Sequence, residues 1–216
     1  MSIEMNDSNA TKFVNWIIEK GVDGISPLSS ANDLALEYKI DQGYENDDER
    51  VDSLINWETS KNFTSGFITG LGGIITLPIS IPSALGASWV IQARMAGAIA
   101  HIYGHDLHED RVRTLVLLSL LGDAGKEVIK SAGIKFVQKI TEKTISKISG
   151  KALTEINKKI GFRLITKAGE KGIVNLTKFV PVAGGMVGGT FDAVACRMVG
   201  RTAKNLFAIS SGSSLT

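Results

Sequence analysis

The chain has 216 residues, of which 44% are hydrophobic and 21% charged, and its formal net charge is +2. This length and composition fit one globular domain, or one domain with an appended arm. The single cysteine, Cys196, excludes an internal disulfide and favours a reducing compartment. We expect Cys196 to be a small core residue. The N-terminal residues lack the basic patch and apolar core of a secretory signal.

The small net charge conceals an uneven distribution along the chain. Residues 1–62 contain 13 acidic and 5 basic side chains, whereas residues 63–216 contain 9 acidic and 19 basic. The basic excess peaks over residues 126–171. Either the two parts pack together and neutralise each other, or the basic face meets an anionic partner.

The first segments are predicted to be helices, because potential N-caps precede apolar residues at helical spacing. Asp7 or Ser8 can cap a first helix that ends at Gly21. Ser30 can cap a second helix, ending near residue 43, and Asn46 a third.

Composition also predicts the domain boundaries. Residues 21–30 are predicted to be a flexible link, because they are rich in glycine, serine and proline. We therefore expect an acidic N-terminal helical arm over residues 1–45. A helical domain then spans residues 46–208, and residues 209–216 form a disordered polar tail.

Residues 63–93 form a run of 31 residues without one charged side chain. As one helix it would span about 46 Å at 1.5 Å per residue, but Pro78 and Pro82 interrupt it. Each half is shorter than a hydrocarbon core of about 30 Å. The run is therefore predicted to be a glycine-rich, proline-broken helical hairpin, either buried in the core or lying at a membrane interface. A membrane span is less favoured.

Further stop signals divide the centre of the chain. Gly104 is predicted to end the helix that follows the prolines, and Asp106 with Glu109 to form a capping box for the next helix. Gly122 should end that helix. No alternating strand pattern lasts more than a few residues, so the predicted fold class is all-α, a helical bundle.

The C-terminal half begins with an amphipathic stretch over residues 124–160, where lysines recur every four residues on one face. The members of this lysine stripe are Lys135, Lys139, Lys143, Lys147 and Lys151. A turn is predicted over residues 161–172, a short helix over 173–180 and a last helix over 183–207. The stripe is either a solvated face or a contact for an anionic membrane surface. Nucleic acid is not expected, because arginines and stacking aromatics are scarce nearby.

Two groups of polar residues are candidate sites. His101, His105 and His108 have spacings of four and three residues, as zinc ligands on one helix would, but Gly104 should separate them. We predict no bound metal. In the apolar, glycine-rich run over residues 180–199, charged residues need partners or receive a ligand headgroup. The charged residues in or beside it are Asp192, Arg197 and Arg201, with Arg94, Glu170 and Lys171 as possible partners.

Three segments, taken in order, resemble the EcsC family of bacterial proteins. They are TGLGGIITLPISIP (residues 69–82), QARMAGAIAHIYGHD (92–106) and GFRLITKAGEKG with LTKFVPVAGGMVGGTFDAVACRMVGRTAKNLF (within 161–207). The resemblance implies a helical bacterial domain without an established reaction. The founding member of the family is named for an operon that also encodes an ABC transporter, which favours a function at the membrane. His105 and Cys196 depart from the expected family pattern. These departures argue against a histidine metal site and a cysteine nucleophile as features of the whole family.

The resulting functional prediction is a non-enzymatic protein at the cytoplasmic face of a membrane. It would bind an anionic membrane surface or a membrane protein, with no cofactor and with an oligomeric state left undecided. The alternatives are a soluble protein-interaction module and a metal-dependent hydrolase that uses His101. The candidate ligand-binding residues are Arg94, His101, Lys167, Glu170, Lys171, Asp192, Arg197 and Arg201.

Overall fold

A computed structural model describes residues 6–63, 78, 83–131, 148–174 and 186–208 of the chain. These residues contain eight helices and no strand, which confirms the predicted all-α class. In chain order the helices are α1 (Asp7–Gly21), α2 (Ala31–Ile40), α3 (Asp47–Phe63), α4 (Ser83–Ile102), α5 (Asp110–Leu121), α6 (Ala124–Ser131), α7 (Gly150–Val174) and α8 (Met186–Phe207).

The N-terminal helices begin where side chains accept hydrogen bonds from free backbone N–H groups. The cap of α1 is Asn6, whose Oδ1 accepts from the Asn9 amide at 2.8 Å, so the predicted caps one and two residues later are wrong. Ser30 caps α2 as predicted, and it forms a reciprocal capping box with Asp33. Asn46 accepts from the Glu49 amide at 3.0 Å before α3.

Helix α4 lies at the centre of the bundle and packs against α1, α2, α3, α5 and α8. Its buried residues include Val90, Met95 and Ile99. The charge-free part of α4 is therefore core. Residues 64–77 and 79–82, which carry the rest of the predicted hairpin, lie outside the described residues. Among the helices of the described residues, none combines the length and the hydropathy that a membrane span requires.

Helices α1 and α2, which the sequence assigned to an N-terminal arm, contribute to the same hydrophobic core. Phe13 and Ile17 are fully buried, and Leu34 nearly so. Helix α1 packs against α4 and α7, and α2 packs against α4. The ring of Phe13 lies edge-on to that of Trp89 of α4, with centroids 5.5 Å apart.

The central helices end where the glycines predict, but α5 begins differently. Gly104 and Gly122 adopt positive φ angles of 88° and 59° after α4 and α5. The predicted Asp106–Glu109 capping box is wrong. Glu109 occupies the N-cap without a side-chain bond, while Asp106 accepts from the His108 amide at 2.9 Å.

Helix α7 continues through residues 161–172, so the turn predicted there is wrong. The reason is close packing. A Cβ on Gly161 would lie 2.5 Å from the carbonyl oxygen of Ala10, so this glycine lets α7 approach the backbone of α1. Of the short helix predicted over residues 173–180, the first two belong to α7 and the rest lie outside the described residues. The last helix agrees with its prediction over residues 186–207.

Candidate functional site

The nominated residues occupy different parts of the molecule. Arg94 is buried, His101 is half-buried, and Arg197 and Arg201 are exposed. Lys151 is exposed at the start of α7. The other four members of the lysine stripe, Lys135, Lys139, Lys143 and Lys147, lie outside the described residues. The same is true of the side chains of Lys167, Glu170, Lys171 and Asp192.

Arg94 of α4 is held by two groups from other elements. Its Nε and one terminal nitrogen donate to the backbone oxygen and Oγ of Ser29, each at 2.6 Å. Its other terminal nitrogen lies 3.7 Å from Oε1 of Glu58 in α3, and the two side chains are 8% and 1% exposed. Burial lowers the pKa of Arg94, and the charge of Glu58 opposes that effect.

Glu58 is the residue of this cluster that sequence reasoning missed. It also contacts Lys61, with Nζ 3.3 Å from Oε1. Burial, and secondarily the charge of Glu58, raises the pKa of the Tyr38 hydroxyl to about 12. The sequence did contain a signal for this position. Glu58 lies four residues after Leu54 and three after Ile55, and this spacing places its carboxylate on the buried face of α3. This cluster ties α3, α4 and the loop before α2 together.

The three histidines of the possible metal cluster diverge. His105 is buried, and its Nε2 lies 3.1 Å from the backbone oxygen of Phe207. His108 is exposed. Burial, and secondarily the charge of Lys39, lowers the pKa of His101. The described residues contain no group of three His, Cys, Asp or Glu side chains that could hold a metal ion.

The outward side of α8 combines exposed cations with exposed apolar side chains. Val194 is 69% and Met198 38% exposed, and Arg197 and Arg201 are exposed beside them. We call these four residues the α8 face. Val194 and Met198 are four residues apart, as are Arg197 and Arg201, so all four side chains share one side of the helix. The opposite side is buried, and its members include Cys196, Val199, Ala203 and Phe207.

The arginines of the α8 face have no acidic partner among the described side chains. Arg197 donates to the amide oxygen of Asn56 at 3.1 Å. The nearby Lys204 differs, because its Nζ lies 2.8 Å from Asp52. The face therefore presents two positive charges that the described part of the protein does not neutralise with an ion pair.

A cavity of about 780 Å³ lies between α6 and α7. The cations at its wall are already engaged. Arg163 pairs with Glu127 at 2.7 Å, and Lys159 donates to the backbone oxygen of Ser131. Of the predicted ligand-binding residues whose side chains the structure describes, none lines this cavity.

Comparison with known proteins gave one family. A family model described as the EcsC protein family matches residues 16–209. This match begins within α1, so it extends well beyond the three segments that carried the resemblance, which lie between residues 69 and 207. Searches of curated proteins and of solved structures each gave no match.

Proposed function

The chain belongs to the EcsC protein family, and we propose that it is a non-enzymatic protein that binds the cytoplasmic face of an anionic membrane through the α8 face. The observation that carries the proposal is the pairing of Arg197 and Arg201 with exposed Val194 and Met198. Interfacial helices have this composition, in which cations meet lipid headgroups and apolar side chains enter the boundary beneath them.

The energetics favour reversible attachment. Each basic residue near an anionic surface contributes about 1 kcal/mol, so two arginines contribute about 2 kcal/mol. That alone is weak, and stable binding needs a second contribution. We assign it to the lysine stripe, of which Lys151 is exposed in the structure.

The hydrolase alternative has less support than membrane binding. A hydrolase using His101 would need polar groups nearby, and the candidate Arg94 is already engaged by Glu58 and Ser29. A soluble interaction module remains the alternative, and it corresponds to one outcome of the following experiment.

The test is flotation of the purified protein with neutral or anionic vesicles, at low and high salt. We expect flotation with anionic vesicles that decreases in high salt, because exposed charges are then screened. The variant Arg197→Gln/Arg201→Gln should float several-fold less well. A matched control is Arg111→Gln/Lys130→Gln, which removes two exposed cations that form no ion pair in the described part of the protein.

Further variants separate the two contributions. Val194→Ser/Met198→Ser should reduce the flotation that persists in high salt, whereas Lys135→Gln/Lys139→Gln should weaken its salt-sensitive part. If the arginine variant and its control lose the same amount, general charge is responsible and the assignment to the α8 face is wrong. Absence of flotation under all conditions would favour the interaction module.

A further inference from the structure

Helix α2 presents a second outward surface, with the opposite charge. Leu36 is 43% and Ile40 74% exposed, one helical turn apart. Glu37 lies between them in sequence and Asp41 follows, and both are exposed. We call these four residues the α2 face. In the described part of the chain, neither carboxylate forms an ion pair.

The α2 and α8 faces complement each other but cannot meet within one chain. Helix α2 is packed on α4 through buried Ala31, Leu34 and Ala35, which turns the α2 face outward. Helix α8 packs against α3, α4 and α5, which turns its own face outward. Each face has two exposed apolar side chains beside two unneutralised charges, negative on α2 and positive on α8.

We propose that the α2 face of one copy binds the α8 face of a second copy. The choice of a second copy follows from charge complementarity, because the same chain supplies both the acidic apolar surface and the basic apolar surface that matches it. The contact joins two different patches, so it is heterologous and leaves one face of each type unoccupied at the ends of an assembly.

This contact goes beyond membrane binding and competes with it. An α8 face that lies on lipid is not available to a second copy, so anionic vesicles should dissociate the assemblies. Since both faces are small and solvent-exposed, the association should be reversible and should weaken as salt screens the charges.

Sedimentation velocity over a wide range of protein concentration tests the contact in the full chain. We expect the sedimentation coefficient to rise with concentration at low salt and to rise less at high salt. The variants Glu37→Lys/Asp41→Lys and Arg197→Glu/Arg201→Glu should each lower the association constant by about tenfold or more, which corresponds to about 1.4 kcal/mol. The control Glu19→Lys/Asp123→Lys reverses two other exposed carboxylates and should leave association unchanged.

Mixing the two charge-reversed variants is the decisive step. Each is repelled by its own kind, but the altered α2 face of one matches the altered α8 face of the other, so the mixture should regain association. This recovery also shows that both variants are folded. A wild-type protein that stays monomeric at low salt, or a mixture that stays monomeric, overturns the proposal.

The outcome is separable from that of the membrane proposal. Glu37→Lys/Asp41→Lys leaves the α8 face intact, so it should lose self-association and keep its flotation with anionic vesicles. If self-association fails and flotation persists, only the contact between copies is wrong. If association follows the predictions and flotation fails, only membrane binding is wrong.

Discussion

Arg94 connects three parts of the fold through one guanidinium group. It donates twice to Ser29 in the loop before α2 and faces Glu58 of α3 from its position in α4. Removing two charges from water is costly, so such a pair need not stabilise the fold more than apolar residues would. Breaking it is a different matter, because the remaining charge stays buried.

We expect Arg94→Met to lower the free energy of unfolding by about 3 kcal/mol. This value is at the low end for a broken buried ion pair, because Lys61 still neutralises Glu58 in part. Glu58→Leu/Arg94→Met should cost less than this single change, since neither charge is then left without its partner. Urea unfolding of the single and double variants measures both values. A double variant less stable than Arg94→Met would contradict the account.

His101 should make stability depend on pH in one direction. Its pKa is lowered in the folded protein, chiefly by burial. The unfolded chain therefore binds more protons than the folded protein as pH falls below the unfolded value of about 6.5. The His101 contribution is fully present above that pH and decreases as pH falls through the folded pKa.

We accordingly expect His101→Gln to reduce the loss of stability between neutral and mildly acidic pH. Thermal unfolding of the variant and the wild type at several pH values measures the difference. His108→Gln, at an exposed site, is the control for a histidine-to-glutamine change as such. Parallel curves for His101→Gln and the wild type would show that another group is responsible.

At the scale of single residues, sequence reasoning identified Arg94 of the buried ion pair but missed Glu58. Arg94 stands out because it is a charge in an apolar segment, but Glu58 follows a strongly acidic stretch and looks like one more surface carboxylate. Only the buried spacing of Leu54, Ile55 and Glu58 distinguishes it. Which cation lies opposite is decided by the packing of α3 on α4, and local spacing contains no information about that.

The helices show what glycines in a sequence do and do not reveal. Gly104 and Gly122 end helices with positive φ angles, as predicted. Gly161 lies inside α7 and serves contact with α1 instead. Both uses depend on the missing Cβ, so the sequence alone could not tell a helix stop from a close helix crossing.

Gly161→Ala tests this interpretation of the crossing. Alanine favours a helix over glycine by about 1 kcal/mol, but here its Cβ would lie 2.5 Å from the Ala10 carbonyl oxygen. Because backbone must move to relieve that contact, we expect a net loss of about 1–3 kcal/mol in the free energy of unfolding.

The matched control is Gly150→Ala at the start of α7, where an added Cβ meets no atom within 4 Å. This variant should be as stable as the wild type or slightly more so, and denaturant unfolding of both proteins gives the comparison. If Gly161→Ala were equally well tolerated, α7 would not approach α1 as closely as the structure shows.

In the whole molecule, the acidic N-terminal part and the basic remainder meet in several ion pairs. Lys204 lies 2.8 Å from Asp52, and Arg113 lies 2.8 Å from Asp23. Composition predicted that the two parts could neutralise each other. It could not predict that the α2 and α8 faces would keep their charges, because that depends on which helix sides the core covers.

The position of α1 and α2 in the core has a direct consequence for truncation. Removing residues 1–45 would remove Phe13, Ile17 and Leu34, all buried, together with the contacts of α1 to α4 and α7. Loss of one large core side chain costs about 2–5 kcal/mol, and a domain has about 5–15 kcal/mol in total. We therefore expect residues 46–216 alone to lack a cooperative unfolding transition.

Thermal unfolding followed by circular dichroism checks this expectation, with a chain that lacks only residues 210–216, beyond the family match, as control. The control should unfold at the wild-type temperature. A chain of residues 46–216 that keeps a sharp transition would show that α1 and α2 cover a core that is stable without them. In that case the charges of the N-terminal helices would be dispensable for folding, and the acidic α2 face could be deleted rather than reversed to test self-association.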